Sequence, residues 1–141
     1  MTKNIFITSI IYFLLIVNVF SAGSDGEGGG ESKVKSNYEM AVNHIKFAKK
    51  LEKKGKLDKA KKRFEKAQKL LIKSNNKKPN NADTLNYLGF TTRKLGDFEN
   101  GEKYYLQGLA INPNHKGINE YLGELYVATK RHNLAIEGLE V

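Results

Sequence analysis

The side chains able to do chemistry in this 141-residue chain are few and scattered. His44, His115 and His132 lie far apart and show no metal-ligand spacing. Cysteine is absent, which excludes a thiolate metal site, a cysteine nucleophile, a disulfide and a cysteine-linked lipid anchor. No serine-nucleophile motif or pair of catalytic carboxylates can be assembled. Glu120 and Glu124 stand one helical turn apart, a spacing that ordinarily describes a wet helix face. The tract GSDGEGGGE, Gly23 to Glu31, lacks the preceding strand and the Lys-Ser/Thr helix start of a phosphate loop. The expectation is a protein that is not an enzyme, with no cofactor and no bound metal.

Charge is the remaining chemical signal, and it is uneven. Residues 33–78 hold 17 Lys or Arg against 4 Asp or Glu; residues 79–141 hold 6 against 8. A basic segment of this kind attracts anionic lipid, acidic protein or nucleic acid. Its ordinary reading is a solvated face whose lysine stems cover apolar surface. Arginine, the better planar reader of phosphate, occurs there only as Arg63, so nucleic acid is not the expected partner.

The elements that must position these residues begin with an address. Lys3 precedes the apolar run Ile5 to Phe20, and Ser21-Ala22-Gly23 follow, the order of a secretory signal peptide. At 1.5 Å per residue the run reaches about 24 Å, short of a hydrocarbon core of about 30 Å. Residues 1–22 are therefore expected to be a signal peptide and the protein to be exported, periplasmic or secreted. The alternative is an uncleaved segment that anchors the chain in a membrane. Residues 23–35 form a Gly-rich flexible linker.

The rest is all-α in pattern. Leu85, Leu88, Gly89, Thr92 and Leu95 recur at helical spacing before Gly96-Asp97-Phe98. Phe98, Gly101, Tyr104, Tyr105, Gly108 and Ile111 recur after it, and Asn112-Pro113-Asn114 stops the second helix. The block from Ala82 to His115 is 34 residues long. From Lys116 the order repeats with Leu122-Gly123, Tyr126 and Ala135. Upstream, Gly55 takes the slot of Gly96, and Ala48, Ala60, Phe64 and Ala67 take the small and aromatic positions. Pro79 comes 7 residues later than its counterpart Pro113, so the helix through Lys69 to Lys73 is expected to be extended and to break at Ser74-Asn75-Asn76.

This period, with Leu88-Gly89, Leu95-Gly96-Asp97-Phe98 and Pro113, resembles the tetratricopeptide repeat family. The resemblance implies a helix-turn-helix solenoid over residues 36–141, of about three repeats at 41–81, 82–115 and 116–141. The departures are Lys130 at the third turn glycine, expected to strain or reshape that turn, and Gly101 and Gly108 in place of alanines. The first helix of the first block fits the pattern least.

The resemblance further implies a non-enzymatic scaffold that binds a peptide or partner protein along a concave groove. The positions facing that groove hold Lys46, Lys49 and Lys53, then Asn86, Tyr87, Phe90, Arg93 and Lys94, then Glu120, Tyr121, Glu124 and Val127. For Tyr87 and Tyr121 the other reading is packing between repeats. The positions with which some family members clamp a C-terminal carboxylate hold Val42, Asp83, Tyr87, Gly117 and Tyr121, so that specificity does not transfer. The second functional reading is a membrane-tethered basic module that meets anionic lipid or polyanion through its first helical pair. The third block stops at Val141 inside its second helix, and the expectation is a truncated frame or a partner that serves as the cap.

Overall fold

The computed structural model describes residues 34–131, and these form five α-helices. They belong to one compact unit that begins at Lys33. The expected signal segment, nearly all of the expected linker, and the third block from His132 onward lie outside the described residues.

α1 (Asn37–Lys53) starts where its sequence can satisfy its own first turn. The Ser36 hydroxyl accepts from Glu39 N, and the Glu39 carboxylate accepts from Ser36 N, a reciprocal capping box. The helix thus begins four residues before the expected block. α2 (Leu57–Lys77) packs antiparallel on it, burying Ala60, Phe64, Ala67 and Leu71 against Ala41, Ile45 and Ala48. The expected extension of α2 is present, but the expected break at Ser74-Asn75-Asn76 is not. Polar residues cost a helix only tenths of a kcal/mol, up to about 0.7. Pro79 acts absolutely: it forces Lys78 to an extended ψ of 83° and ends the helix there. Asn80 then turns the chain at φ 61°.

α3 (Ala82–Lys94) is capped by Asn81, whose carboxamide oxygen accepts from Thr84 N. α4 (Phe98–Ile111) folds back on it, capped by Asp97. Small residues set the spacing of this hairpin. A methyl group on Gly89 would collide with the ring of Tyr105, which is fully buried, and one on Gly101 would press on Gly89 O and Arg93 N. One on Gly108 would meet Ile118 Cδ1. The helix propensity that glycine forfeits, about 1 kcal/mol each, is exchanged here for close approach of helix backbones. α5 (Lys116–Ala128) follows α4, with Ile118, Leu122 and Leu125 buried.

The three helix-ending turns share one geometry. Gly55 and Gly96 sit at φ 68° and 96°, and Lys130 at 61°. In each, the next amide reaches back to a carbonyl five residues earlier: Lys56 N to Leu51 O, Asp97 N to Thr92 O, Arg131 N to Tyr126 O. The turn at Lys130 is therefore not reshaped. The lysine adopts the left-handed conformation itself and carries the strain.

Candidate partner-binding face

Successive hairpins touch in a fixed order. α1 meets α3 and α3 meets α5, whereas the backbones of α2 and α4 do not approach one another closely. The first helices of the repeats thus form one continuous inner row, and the second helices splay along the outer side. Every groove candidate named from the sequence lies on the inner row.

The middle of the row is closed by its own side chains. Phe90 is 4% exposed, packed edge-on to Phe64 and tilted against Tyr121 at 4.8 Å between ring centroids. Lys49 reaches from α1 across α3: its ammonium lies 4.6 Å from the Phe90 ring centre and donates to Tyr121 Oη at 3.0 Å. Arg93 is nearly buried and binds Glu124 Oε2 at 2.7 Å, tying α3 to α5. Its guanidinium also flanks the rings of Phe90 and Tyr121. Lys94 pairs with Glu52 at 2.6 Å, tying α1 to α3. Phe90 is thus floor rather than contact surface, and Lys49 roofs it instead of projecting outward. Asn86 is also buried, its amide nitrogen beside Gly117 and its carbonyl oxygen without a hydrogen bond among the described residues.

The row is open at its α1–α3 end. Tyr87 is half-buried and its ring stands 5.9 Å from that of Tyr38. Together with Lys35, Glu39, Val42, Asn43 and Lys46 they border a cavity of about 350 Å³. Burial raises the Tyr38 hydroxyl to about 12, with Asp83 and Tyr87 adding to the shift, and burial likewise raises Tyr87. Both hydroxyls hold their protons and are available to donate to a carboxylate or carbonyl. Lys46 is exposed at the rim, and Lys53 is exposed at the far end of α1. Tyr121 and the half-exposed Glu124 carry the inner row onto α5.

Tyr38 was not among the sequence candidates, because it precedes the first repeat block by three residues. The Ser-x-x-Glu signature at Ser36 to Glu39, which starts the helix early, was the signal that could have found it. His115 also has a defined role. Its Nδ1 accepts from Ile118 N, which leaves the proton on Nε2 to bond Asp83 at 2.9 Å, joining the starts of α5 and α3. Among the described residues no cluster of three or more His, Asp or Glu could hold a metal, and no helix is long and apolar enough to cross a membrane.

Residues 82–115 match the model of the tetratricopeptide repeat. The chain is similar to a TPR repeat-containing protein of Borreliella burgdorferi, at 29% identity over 126 residues, covering 89% of this chain. It spans 50% of that relative's length. Its fold is similar to the solved MamA RS-1 ArsTM double mutant, with a TM-score of 0.53 and 20% identity over 72% of this chain and 53% of the other. The repeat at residues 82–115, with the α1–α2 hairpin stacked before it and α5 after it, and these likenesses show a tetratricopeptide repeat in a helix-hairpin solenoid, a fold that is in general a protein-interaction scaffold.

Proposed function

We propose that the inner row of α1, α3 and α5 binds a peptide segment of a partner protein, with Tyr38 and Tyr87 as its anchors. The observation that carries this reading is the open, aromatic-walled cavity beside Lys35 and Lys46. It offers apolar ring faces, two protonated hydroxyls and two ammonium groups against the one carboxylate of Glu39, which already accepts from Ser36 N, and this suits a segment with an apolar side chain next to an acidic one. Tyr121 and Glu124 continue the track, and Glu124, already paired with Arg93, sets its polarity. Lys49 lies between the two halves, so a ligand that runs the whole row contacts or displaces its ammonium.

The test is selection of peptides from a displayed random library on the full chain, followed by calorimetry with the enriched sequences. Replacing Tyr38 and Tyr87 together by Ala is expected to lower affinity at least about thirtyfold, the effect of losing an aromatic anchor worth about 2 kcal/mol or more. Lys46→Glu is expected mainly to slow association with acidic peptides. Retained helix content in both variants separates lost contact from lost fold. Affinities that survive loss of both tyrosines reject the site.

We further propose that the chain is exported, supported by the order of Lys3, the apolar run and Ser21-Ala22-Gly23 in the sequence. Mass spectrometry of the protein from its host checks this: a mature N-terminus near Ala22 to Ser24 is expected, and a soluble form retaining Met1 to Phe20 contradicts it.

A further inference from the structure

The outer face of α2 carries a feature that peptide binding on the inner row does not use. Lys59, Lys62, Lys66, Lys69, Lys73 and Lys77 follow one another at intervals of three and four residues. That spacing stacks them in a single stripe along the helix, about 27 Å long at 1.5 Å per residue. The stripe faces away from Ala60, Phe64, Ala67 and Leu71, which are buried against the core. All six lysines are exposed, and none forms a salt bridge with another described residue. The two acids of α2, Asp58 and Glu65, sit on one flank, outside the stripe. Like charges one turn apart repel, so the arrangement works against the helix that bears it.

We infer that this stripe docks the domain on an anionic lipid surface. Two observations favour a bilayer over a nucleic acid. The stripe runs along one face of a single outer helix, so its ammoniums can meet a plane together, whereas a single-stranded nucleic acid is normally tracked by a groove. It contains no arginine and no aromatic, and therefore no bidentate reader of base edges and no platform for stacking. It also contains no exposed apolar side chain; Leu57 and Ile72, the exposed apolar residues of α2, lie to one side. Docking is then peripheral and electrostatic, with lysines resting among headgroups and nothing inserted between acyl chains. In this orientation the inner row faces away from the membrane.

Flotation of the full chain with vesicles tests this, using phosphatidylcholine alone and a two-to-one mixture with phosphatidylglycerol. Each lysine near an anionic surface is worth about fivefold in partitioning. The variant Lys62→Gln/Lys66→Gln/Lys69→Gln/Lys73→Gln is expected to lose at least about 100-fold of its binding to the mixed vesicles. The milder Lys59→Gln/Lys77→Gln is expected to lose about 25-fold, and it provides a reading if the quadruple variant loses helix content. Raising salt to 0.5 M should abolish the difference between wild type and variants. Binding to phosphatidylcholine alone is subtracted as the background of the apolar run at residues 5–20. Tyr87→Ala should leave vesicle binding unchanged, so failure here and failure of the peptide site are distinguishable. Equal binding to both vesicle types, or lysine variants indistinguishable from wild type, overturns the inference. So does a 20-nucleotide single strand that binds through these lysines more tightly than the mixed vesicles.

Discussion

Glycine at position 89 gives opposite answers under two physical arguments, which makes it a sharp probe of the packing. Helix propensity alone says that Gly89→Ala stabilises α3 by about 1 kcal/mol. The structure places Tyr105 in the way: an added Cβ meets ring atoms Cε1 and Cδ1 and lies 2.9 Å from Cζ. Ordinary carbon contacts are about 3.5–4.0 Å, so the ring must move by about 1 Å or more. Tyr105 is 0% exposed and has no open space to enter. Overpacking of this kind costs about 1–3 kcal/mol, at times more, so the net expectation is a destabilisation of about 1 kcal/mol. For a domain of this size that lowers Tm by about 5 °C. Gly108→Ala is the comparison, because its one close contact is the terminal methyl of Ile118, the far end of a flexible side chain and not a rigid ring. Ile118 is buried as well, so withdrawing that methyl costs about 0.5–1.5 kcal/mol, which offsets the propensity gain and leaves the variant between wild type and Gly89→Ala. Urea denaturation followed by far-UV circular dichroism reads both. Gly89→Ala should also couple with Tyr105→Leu by more than about 0.5 kcal/mol in a double-mutant cycle. A Gly89→Ala variant more stable than wild type, or additive with Tyr105→Leu, refutes the packing argument.

Lys130→Gly should stabilise the last described turn by about 0.5–1 kcal/mol, the left-handed strain of lysine less the extra chain entropy of glycine; a variant less stable than wild type in thermal melts contradicts the shared turn geometry. His44 accepts from Arg63 Nη1 at 3.1 Å, and burial, reinforced by Arg63 and Lys66, holds its pKa below the ordinary 6.5. The unfolded chain then binds the extra proton first, so this contribution to stability is full above about pH 6.5 and is lost as pH falls through the folded value. Stability measured from pH 8 to 5 should fall more for wild type than for His44→Gln, and parallel curves would remove His44 from the account.

Much of the fold was legible because its punctuation is local. Gly55, Gly96 and Pro113 each act on their own turn, and the apolar spacing around them repeats after 34 residues. The end of α2 was less legible: Ser74-Asn75-Asn76 looks like a stop by composition, yet helix bonding continues to Lys77 until Pro79 constrains its neighbour. The candidate site was legible in position but not in exposure. Repeat register puts Lys49, Phe90, Arg93 and Tyr121 on the inner row, but only three-dimensional packing makes Phe90 a floor, Lys49 its cover and Arg93 the partner of Glu124. Tyr38 escaped because a repeat template ignores the extra first turn that Ser36 and Glu39 create.

The central claim, that partners bind the inner row, is tested most directly by amide chemical-shift mapping. The labelled full chain would be titrated with a peptide enriched by selection, and the shifted residues located. Shifts are expected to cluster at Tyr38, Val42, Lys46, Tyr87, Tyr121 and Glu124, with Lys62 to Lys73 of α2 unchanged. Shifts confined to α2 and α4, with the inner row silent, would contradict it.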